Sequence, residues 1–333
     1  MIGDSKSGLG PVAEIDSTAA ACVDGSLGQA RVQARIGLAR LPRFSYRPGK
    51  SVRQITPMQA PPLSTFAPDL FAHRVVLVTG GGRGIGRGIA LAFARLGADV
   101  VIASRQSDRL ESTRAEIEAL GRQCLAVPTN IRDLAQVDAL IERSLDRFGQ
   151  IDFLINNAGG QFPARPFDIS DNGWRSVIDL NLNGTWNVTQ RVARHMVARG
   201  TGSIVNIVHI YSFERGAPPF IHSGAARAGV VSMTRSLAYY LARKGVTINA
   251  LAPGTIATEG VREEEFAHAD VPDYERLALR DIPAHRLGEV DEVAAICAFL
   301  CSPAARYING ADLIADGAYS LDTWTPMFDP EAD

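Results

Sequence analysis

Short apolar runs alternate with longer amphipathic stretches between residues 74 and 315 of this chain. The runs are rich in valine and isoleucine and stay apolar on consecutive positions, which is typical of strands covered by helices on both faces. They predict strands at Arg74–Thr79, Asp99–Ala103, Cys124–Val127, Ile151–Ile155, Ser203–Val208, Val246–Leu251 and Ala311–Ala315. The stretches between them predict helices at Ile89–Leu96, Asp108–Leu120, Leu134–Phe148, Trp174–Arg199 and Gly224–Ala242.

Strands that alternate with helices predict parallel pairing through right-handed crossovers. We therefore expect an α/β fold with a doubly wound parallel sheet of about seven strands, a Rossmann fold, in a single domain over residues 69–333. The polar segment Val261–Arg280, with Glu263, Glu264 and Glu265, interrupts the alternation. We interpret it either as a solvated helix face or as a substrate lid.

Residues 1–68 differ from the remainder in composition. They contain 7 of the 18 prolines, 8 Lys+Arg and 4 Asp+Glu, and they show no apolar periodicity. This composition is typical of a disordered extension. The arginine-rich part after Gly25 also resembles an organelle transit peptide, but the acidic residues before it do not fit that interpretation. A translation start at Met58 is a further alternative, and the cytoplasm is the expected location.

The whole chain carries 34 Lys+Arg and 36 Asp+Glu, a formal net charge of −2. A charge near zero argues against a protein that coats nucleic acid. The sequence contains no run of about 18 uncharged apolar residues, so we expect no membrane-spanning helix. The cysteines are scattered apart from Cys297 and Cys301, and no histidine stands at metal-ligand spacing beside that pair. We therefore expect no metal site.

A glycine-rich turn, Thr79–Gly86, follows the first predicted strand and leads into the first helix. In this context Gly80 allows a tight turn, Gly84 a close approach of the backbone to a ligand, and Gly86 close packing of the helix on the sheet. The free N–H groups of this turn, which includes Ile85, and the helix dipole favour a pyrophosphate. The turn predicts a dinucleotide site, the alternative being a glycine-rich turn without a ligand.

The end of the second strand distinguishes between the two nicotinamide dinucleotides. NAD sites usually place an acid there for the ribose hydroxyls, whereas this chain has Ala103, Ser104 and Arg105. Arg105 and Arg83 are instead placed to flank a 2′-phosphate. This favours NADPH, the alternative being two solvated surface arginines.

The motifs, in their order, resemble those of the short-chain dehydrogenase/reductase family from about Arg74 to Tyr319. They are the glycine turn, Asn156-Asn157-Ala158-Gly159, Asn181 in DLNLNG, and Pro253-Gly254-Thr255-Ile256-Ala257-Thr258. The resemblance implies that the cofactor contacts Asn130, Ile131, Asn157, Ala158, Gly159, Pro253, Gly254, Ile256 and Thr258. Alternatively, Asn156 and Asn157 only cap strand ends.

The family's usual catalytic residues are a serine, a tyrosine and a lysine four residues after the tyrosine, and this chain departs from that pattern. By spacing, His209 stands in the serine position, His222 in the tyrosine position and Ala226 in the lysine position. Arg227 lies one residue, or about 100°, further round the helix, so we expect it to be a poor substitute for the lysine.

The segment His222–Val230 resembles peroxisomal trans-2-enoyl-CoA reductases, a branch of the family. The related 2,4-dienoyl-CoA reductases use a tyrosine just after the fifth strand, where this chain has Tyr211. The hypothesis is that Tyr211 and Asn181 donate hydrogen bonds to an enolate oxygen, with His209 or His222 as secondary candidates. Alternatively, Tyr211 is a wall residue, Asn181 stabilises a helix kink and His222 is a neutral helix cap.

Loss of the tyrosine–lysine pair disfavours ketone reduction, which needs a proton on oxygen as the hydride arrives. We therefore expect NADPH-dependent reduction of the C=C bond of an α,β-unsaturated acyl thioester. The alternatives are reduction of a carbonyl or 3-oxoacyl thioester, with Tyr211 or His222 as the acid, and dinucleotide binding without catalysis. The resemblance also implies a homotetramer or homodimer with the two long helices at the interface. Arg165, Arg262 and Arg280 flank the expected mouth of the substrate site.

Overall fold

A computed structural model describes residues 62–213, 215–261 and 279–321 of the chain. Met58, nearly all of the predicted extension, and residues 262–278 of the predicted acidic segment, including Arg262, lie outside these ranges. None of the helices in the described ranges combines the length and the apolar character that a membrane crossing requires.

Seven strands form one parallel sheet in the order β3-β2-β1-β4-β5-β6-β7. They are β1 (Val75–Thr79), β2 (Asp99–Ser104), β3 (Cys124–Pro128), β4 (Phe153–Asn156), β5 (Gly202–Ile207), β6 (Val246–Pro253) and β7 (Asp312–Ala315). Each neighbouring pair is parallel, and β1 pairs with β2 on one side and with β4 on the other. The predicted doubly wound sheet is confirmed. The strand order reverses between β1 and β4, which leaves a crevice at their carboxyl ends.

Helices cover both faces of the sheet. In chain order they are α1 (Gly84–Arg95), α2 (Ser107–Ala119), α3 (Leu134–Phe148), α4 (Asp171–Ile178), α5 (Gly184–Arg199), α6 (Ile221–Ala242) and α7 (Val290–Cys301). The glycine turn runs directly into α1, which begins at Gly84. Because α6 begins at Ile221, His222 lies in its first turn.

The single helix predicted over Trp174–Arg199 is wrong. The structure has α4, a π-helical turn at Asp179–Asn183, and then α5. A π turn widens the helix by one residue, and such turns are frequent at functional sites. Close packing accompanies the break, because a Cβ on Gly184 would lie 2.7 Å from Cγ1 of Ile131. The turn carries Asn181 into the interior, where it is fully buried.

Two apolar layers flank the sheet. One layer, between the sheet and helices α1 and α7, contains the rings of Phe71, Phe93 and Phe153, whose centroids lie 4.9 to 5.8 Å apart. The other layer lies under α3, α5 and α6. Leu63 and Phe66 pack against the first layer. Both residues precede the predicted boundary at residue 69, so packing against the core begins before it in the described part of the chain.

Candidate active site

A cleft with a volume of about 460 Å³ opens at the carboxyl ends of the central strands. Fifteen of the sixteen residues predicted to contact the cofactor line it, namely Gly80, Arg83, Gly84, Ile85, Ser104, Arg105, Asn130, Ile131, Asn157, Ala158, Gly159, Pro253, Gly254, Ile256 and Thr258. The exception is Gly86, which is buried behind the turn. Ligands bind at such switch points of open α/β sheets, so the position fits a dinucleotide.

The glycine turn is shaped by close backbone contacts. Gly80 has a positive φ of 71°, and a Cβ on it would lie 2.7 Å from Nδ2 of Asn157. A Cβ on Gly86 would overlap the carbonyl oxygen of Gly80. The residue before α1, Arg83, provides no side-chain cap for the helix. The first N–H groups of α1 therefore lack a side-chain acceptor within the turn, as an anion site at a helix N-terminus requires.

Gly84 provides the space that a pyrophosphate needs. Its φ is 52°, and the nearest atom to a Cβ there would be Cγ2 of Thr258, at 3.7 Å across the cleft. The missing side chain thus opens room toward the cleft rather than toward the protein interior. The residues present fit a dinucleotide phosphate at this point.

Three arginines surround the end of β2. Arg83 and Arg105 are exposed at the cleft, and Arg109, in the first turns of α2, also lines it. Arg109 is not among the predicted site residues, although its spacing of four residues from Arg105 is a signal for it. Glu259 is the only carboxylate among the described lining residues, and it follows β6 rather than β2. The electrostatic character at β2 is therefore positive, which suits a phosphate.

Two asparagines tie the strand ends together. The side chain of Asn157 donates to the carbonyl oxygen of Thr79 at 3.0 Å, and its backbone N–H donates to Oγ1 of the same threonine at 3.0 Å. Asn156 donates to Thr189 and to Asn206, each at 2.8 Å, beneath the cleft. Asn157 therefore joins β4 to β1 and also lines the cleft.

Asn181 has its amide committed to the backbone of Gly160. Its Oδ1 accepts the N–H of Gly160 and its Nδ2 donates to the carbonyl oxygen of Gly160, both at 3.0 Å. Asn181 is absent from the described lining of the cleft, whereas Gly159 and Gly160 belong to it. The geometry therefore disfavours direct contact with an enolate oxygen. The amide positions the loop after β4, a structural role that differs from the predicted stabilisation of a helix kink.

The first turns of α6 face the cleft with a different register from the one predicted. Ser223 and Arg227, four residues apart, line the cleft. His222 and Ala226 are fully buried and are not among its lining residues. The assignment of His222 and Ala226 to the tyrosine and lysine positions is thus one residue too early. Neighbouring residues of a helix point about 100° apart. A shift of one residue therefore decides whether a side chain faces the cleft or the core.

Arg227 is the positively charged residue on the part of α6 that lines the cleft. Its guanidinium is buried, and Nη1 donates to the carbonyl oxygen of Ile207 at the end of β5. A Cβ on Gly159 would overlap Nη2, so the glycine makes room for the guanidinium. Burial lowers the pKa of Arg227 to about 10, and the group stays charged at neutral pH. Arg227, which the spacing predicted to be a poor substitute for the lysine, is thus the residue of the pair Ala226–Arg227 that lines the cleft.

His222 has a structural environment. The edge of its ring meets the ring of Phe162, with centroids 4.5 Å apart and planes at 80°. Burial lowers the pKa of its imidazole, so the ring is neutral at pH 7. It lies on the core side of the helix that carries Ser223, which argues against a catalytic acid. The N-cap of α6 is Phe220, so the alternative of a helix cap at His222 is wrong.

His209 and Tyr211 line the cleft on the segment after β5. Nδ1 of His209 accepts the backbone N–H of Tyr211 at 3.2 Å, and the two rings lie 4.3 Å apart. Phe220, before α6, completes the wall with its ring parallel to that of Tyr211 at 6.2 Å. Gly224 permits this approach, because a Cβ there would come within 3.1 Å of the Tyr211 carbonyl oxygen. Burial, and then the charge of Arg227, lower the pKa of His209 to about 4.

Arg165 and Arg280, which the sequence places at the mouth of the substrate site, lie away from the described lining of the cleft. Arg165 is exposed and Arg280 pairs with Asp281 at 3.0 Å, and neither lines the cleft in the described part of the chain.

The chain is similar to known reductases over most of its length. A family model described as enoyl-(acyl carrier protein) reductase matches residues 80–320. The chain is 36% identical over 253 residues, 75% of its length and 98% of the relative's, to the probable 2,4-dienoyl-CoA reductase, (2E)-enoyl-CoA-producing, of Bacillus subtilis (strain 168). It is 39% identical over 246 residues, 73% of its length and 96% of the relative's, to the 3-oxoacyl-[acyl-carrier-protein] reductase of a Synechocystis strain.

A solved short-chain dehydrogenase from Bacillus anthracis also matches the fold. Its TM-score is 0.68 at 38% identity, covering 76% of this chain and 98% of that one. The similarity in both sequence and structure therefore spans the region that builds the cleft.

Proposed function

This chain is an oxidoreductase that belongs to the short-chain dehydrogenase/reductase family, and from that premise we propose that it reduces the conjugated C=C bond of an α,β-unsaturated acyl thioester with NADPH. One observation carries the proposal. The wall that normally presents a tyrosine and a lysine presents Ser223 and the buried cation Arg227, beside the phenol of Tyr211.

NADPH supplies a hydride when it is bound. The glycine turn and the start of α1 would hold its pyrophosphate, and Arg83, Arg105 and Arg109 would hold the 2′-phosphate at the end of β2. The lack of an acid at that strand end supports NADPH over NADH. Arg227, at the base of the other wall, has the donors to bind ribose hydroxyls.

Hydride addition to the β carbon of an enoyl thioester moves the π electrons of the C=C bond toward the carbonyl and leaves a negative charge on the thioester oxygen. A buried cation and a phenol donor stabilise that charge best when they are fixed before the reaction, and both groups belong to the cleft. The enolate then takes a proton from water at its α carbon. The product is the saturated acyl thioester, which has gained a hydride at the β carbon and a proton at the α carbon.

Carbonyl reduction places a stronger demand on this site, because the alkoxide formed must receive a proton. A general acid with a tuned pKa contributes about 10²–10⁴-fold to such a step. Arg227 cannot serve as that acid near neutral pH, and Ser223 is a weak one. The similarity to a 2,4-dienoyl-CoA reductase also favours conjugated thioesters. The similarity to a 3-oxoacyl reductase keeps 3-oxoacyl thioesters as the second candidate.

A paired assay tests the proposal. Purified full-length protein is mixed with NADPH or NADH and with crotonyl-CoA, 2,4-hexadienoyl-CoA or acetoacetyl-CoA, and oxidation of the cofactor is followed by absorbance. We expect turnover of the unsaturated thioesters with NADPH and a loss of about 10²-fold in Tyr211→Phe, because one donor to the enolate oxygen is removed.

Turnover of acetoacetyl-CoA alone would establish the second candidate instead. NADPH fluorescence that changes on binding without any turnover would show a dinucleotide-binding protein and contradict both. Unchanged turnover in Tyr211→Phe would remove the phenol from the mechanism.

We also propose a homodimer or homotetramer with α5 and α6 at its interfaces. Trp186 on α5 and Tyr239 and Tyr240 on α6 are exposed aromatic side chains, which are enriched at protein interfaces. Light scattering that gives the mass of a monomer would contradict this proposal.

A further inference from the structure

The imidazole of His209 has one of its two nitrogens already engaged. Nδ1 accepts the backbone N–H of Tyr211 at 3.2 Å, and the ring leans on the ring of Tyr211 with 4.3 Å between centroids. The residue lies at the edge of the cleft, directly after the buried strand β5 and its extension Val208. Both contacts fix the rotation of the ring, so its second nitrogen has a defined direction.

The protonation state follows from the same surroundings. A nitrogen that accepts a hydrogen bond carries no proton, so a neutral ring must hold its proton on Nε2. Burial of the ring opposes a second proton, and the guanidinium of Arg227 acts in the same direction, which keeps the pKa of the imidazole at about 4. At pH 7 the imidazole is therefore neutral, with Nδ1 as an acceptor and Nε2–H as a donor.

We infer that His209 is a catalytic residue that donates its Nε2–H to the carbonyl oxygen of the acyl thioester as a fixed donor and supplies no proton. The identity of the substrate rests on the proposed function, whereas the tautomer does not. Giving up the Nε2 proton would leave an imidazolate anion, which is a much stronger base than an enolate oxygen, so the ring can hold that oxygen through a hydrogen bond without protonating it. A serine hydroxyl, by contrast, can rotate to donate or to accept.

This makes His209 a specificity-determining residue as well. Oxidation of a 3-hydroxyacyl thioester would need a group that accepts the hydroxyl proton, and Nε2–H presents a donor at that place. The same residue therefore favours C=C reduction over oxidation of a hydroxyl group, because Nε2–H cannot take up the hydroxyl proton.

Two substitutions separate the donor from the rest of the ring. His209→Asn keeps an oxygen that can accept the Tyr211 N–H but removes the Nε2 donor, whereas His209→Gln places an amide N–H near the former Nε2. We expect kcat on the unsaturated thioester to fall about 10²–10³-fold in the asparagine variant and to stay within about tenfold of the wild type in the glutamine variant. The Kd for NADPH should be unchanged in both.

His195→Gln is the matched control. Nε2 of His195 accepts the backbone N–H of Ile151 at 3.4 Å, a comparable contact outside the described lining of the cleft. Its kcat should equal that of the wild type. A wild-type kcat in His209→Asn would overturn the inference, and so would a parallel loss of kcat and NADPH binding in both His209 variants.

The tautomer is tested without any substrate. Nitrogen-15 NMR of histidine-labelled protein should show, at pH 7, a neutral ring protonated at Nε2 whose signals disappear in His209→Asn. A ring protonated at Nδ1, or at both nitrogens, would overturn the inference. If the wild type reduces no unsaturated thioester, the proposed function fails while this measurement still decides the state of His209.

Discussion

The cleft has one wall of backbone and one wall of side chains. At the glycine turn, contacts around Gly80 and Gly86 leave no room for a Cβ, and the N-terminus of α1 faces the cleft. Across the cleft, His209, Tyr211, Ser223 and Arg227 present functional groups on the segment after β5 and on α6. In the proposed function, the first wall binds the dinucleotide and the second selects the reaction.

The two walls differ in how they can change. The wall made of backbone tolerates few substitutions, because any side chain at Gly86 would overlap the carbonyl oxygen of Gly80. A side-chain wall keeps positions and exchanges groups. Here an arginine and a serine stand at positions four residues apart on one face of α6. Chemistry can therefore diverge on one wall while the cofactor site stays the same.

The largest effect is expected on the side-chain wall. Arg227→Ala should lower kcat/KM for the unsaturated thioester by about 10²–10³-fold, because it removes a buried cation from a site where negative charge develops. Arg227→Lys should retain activity within about tenfold, since it keeps a positive charge where negative charge develops. Steady-state kinetics with NADPH measure both.

A double variant, Ala226→Arg with Arg227→Ala, tests the register itself. The double variant moves the guanidinium to residue 226, where the native alanine is fully buried. We therefore expect no activity beyond that of Arg227→Ala and a lower melting temperature, because the charge is buried in the core. Recovered activity would mean that residue 226 faces the cleft and that the assignment of Ala226 to the lysine position is right.

A smaller loss is expected from the backbone wall. Gly86→Ala should weaken NADPH binding by about 100-fold, because overpacking of about 1–3 kcal/mol must be relieved by moving the turn. Fluorescence titration of NADPH measures the Kd. Gly216→Ala is the matched control, since nothing lies within 4 Å of a Cβ at Gly216 among the described residues. Equal affinity in both variants would show that the turn yields more easily than its contacts indicate.

The smallest effect concerns stability and pH. The folded state lowers the pKa of His209 from the ordinary 6.5 to about 4, so the unfolded chain binds the extra proton between those values. Stability should therefore fall as the pH drops from 7 to 5, by about 2 kcal/mol from this residue. Urea unfolding of the wild type and His209→Gln measures the difference.

The contributions of His195 and His222, whose pKa values are also lowered by burial, are common to both proteins and cancel in that comparison. An identical pH dependence in the two proteins would mean that His209 titrates normally in the folded state.

The cofactor wall was predictable because its signals are local. A glycine turn between a strand and a helix has one productive geometry, so residue type and spacing are sufficient. Asn181 and the α6 wall were harder. The pattern in DLNLNG placed Asn181 near the site, but the π turn and its bonds to Gly160 arise from packing between segments that are remote in sequence.

The amino-acid sequence by itself determined the doubly wound sheet, the glycine turn at the edge of its cleft and the positive charge at β2, since these follow from periodicity, from glycines at set distances and from the arginines in the turn and after the second strand. Only the tertiary structure decided that Arg227 rather than Ala226 faces the cleft, that Asn181 supports a loop, and which nitrogen of His209 is engaged. The physical reason is that a helix fixes the angles between its residues but not its own rotation on the sheet. That rotation is set by the packing of the whole core.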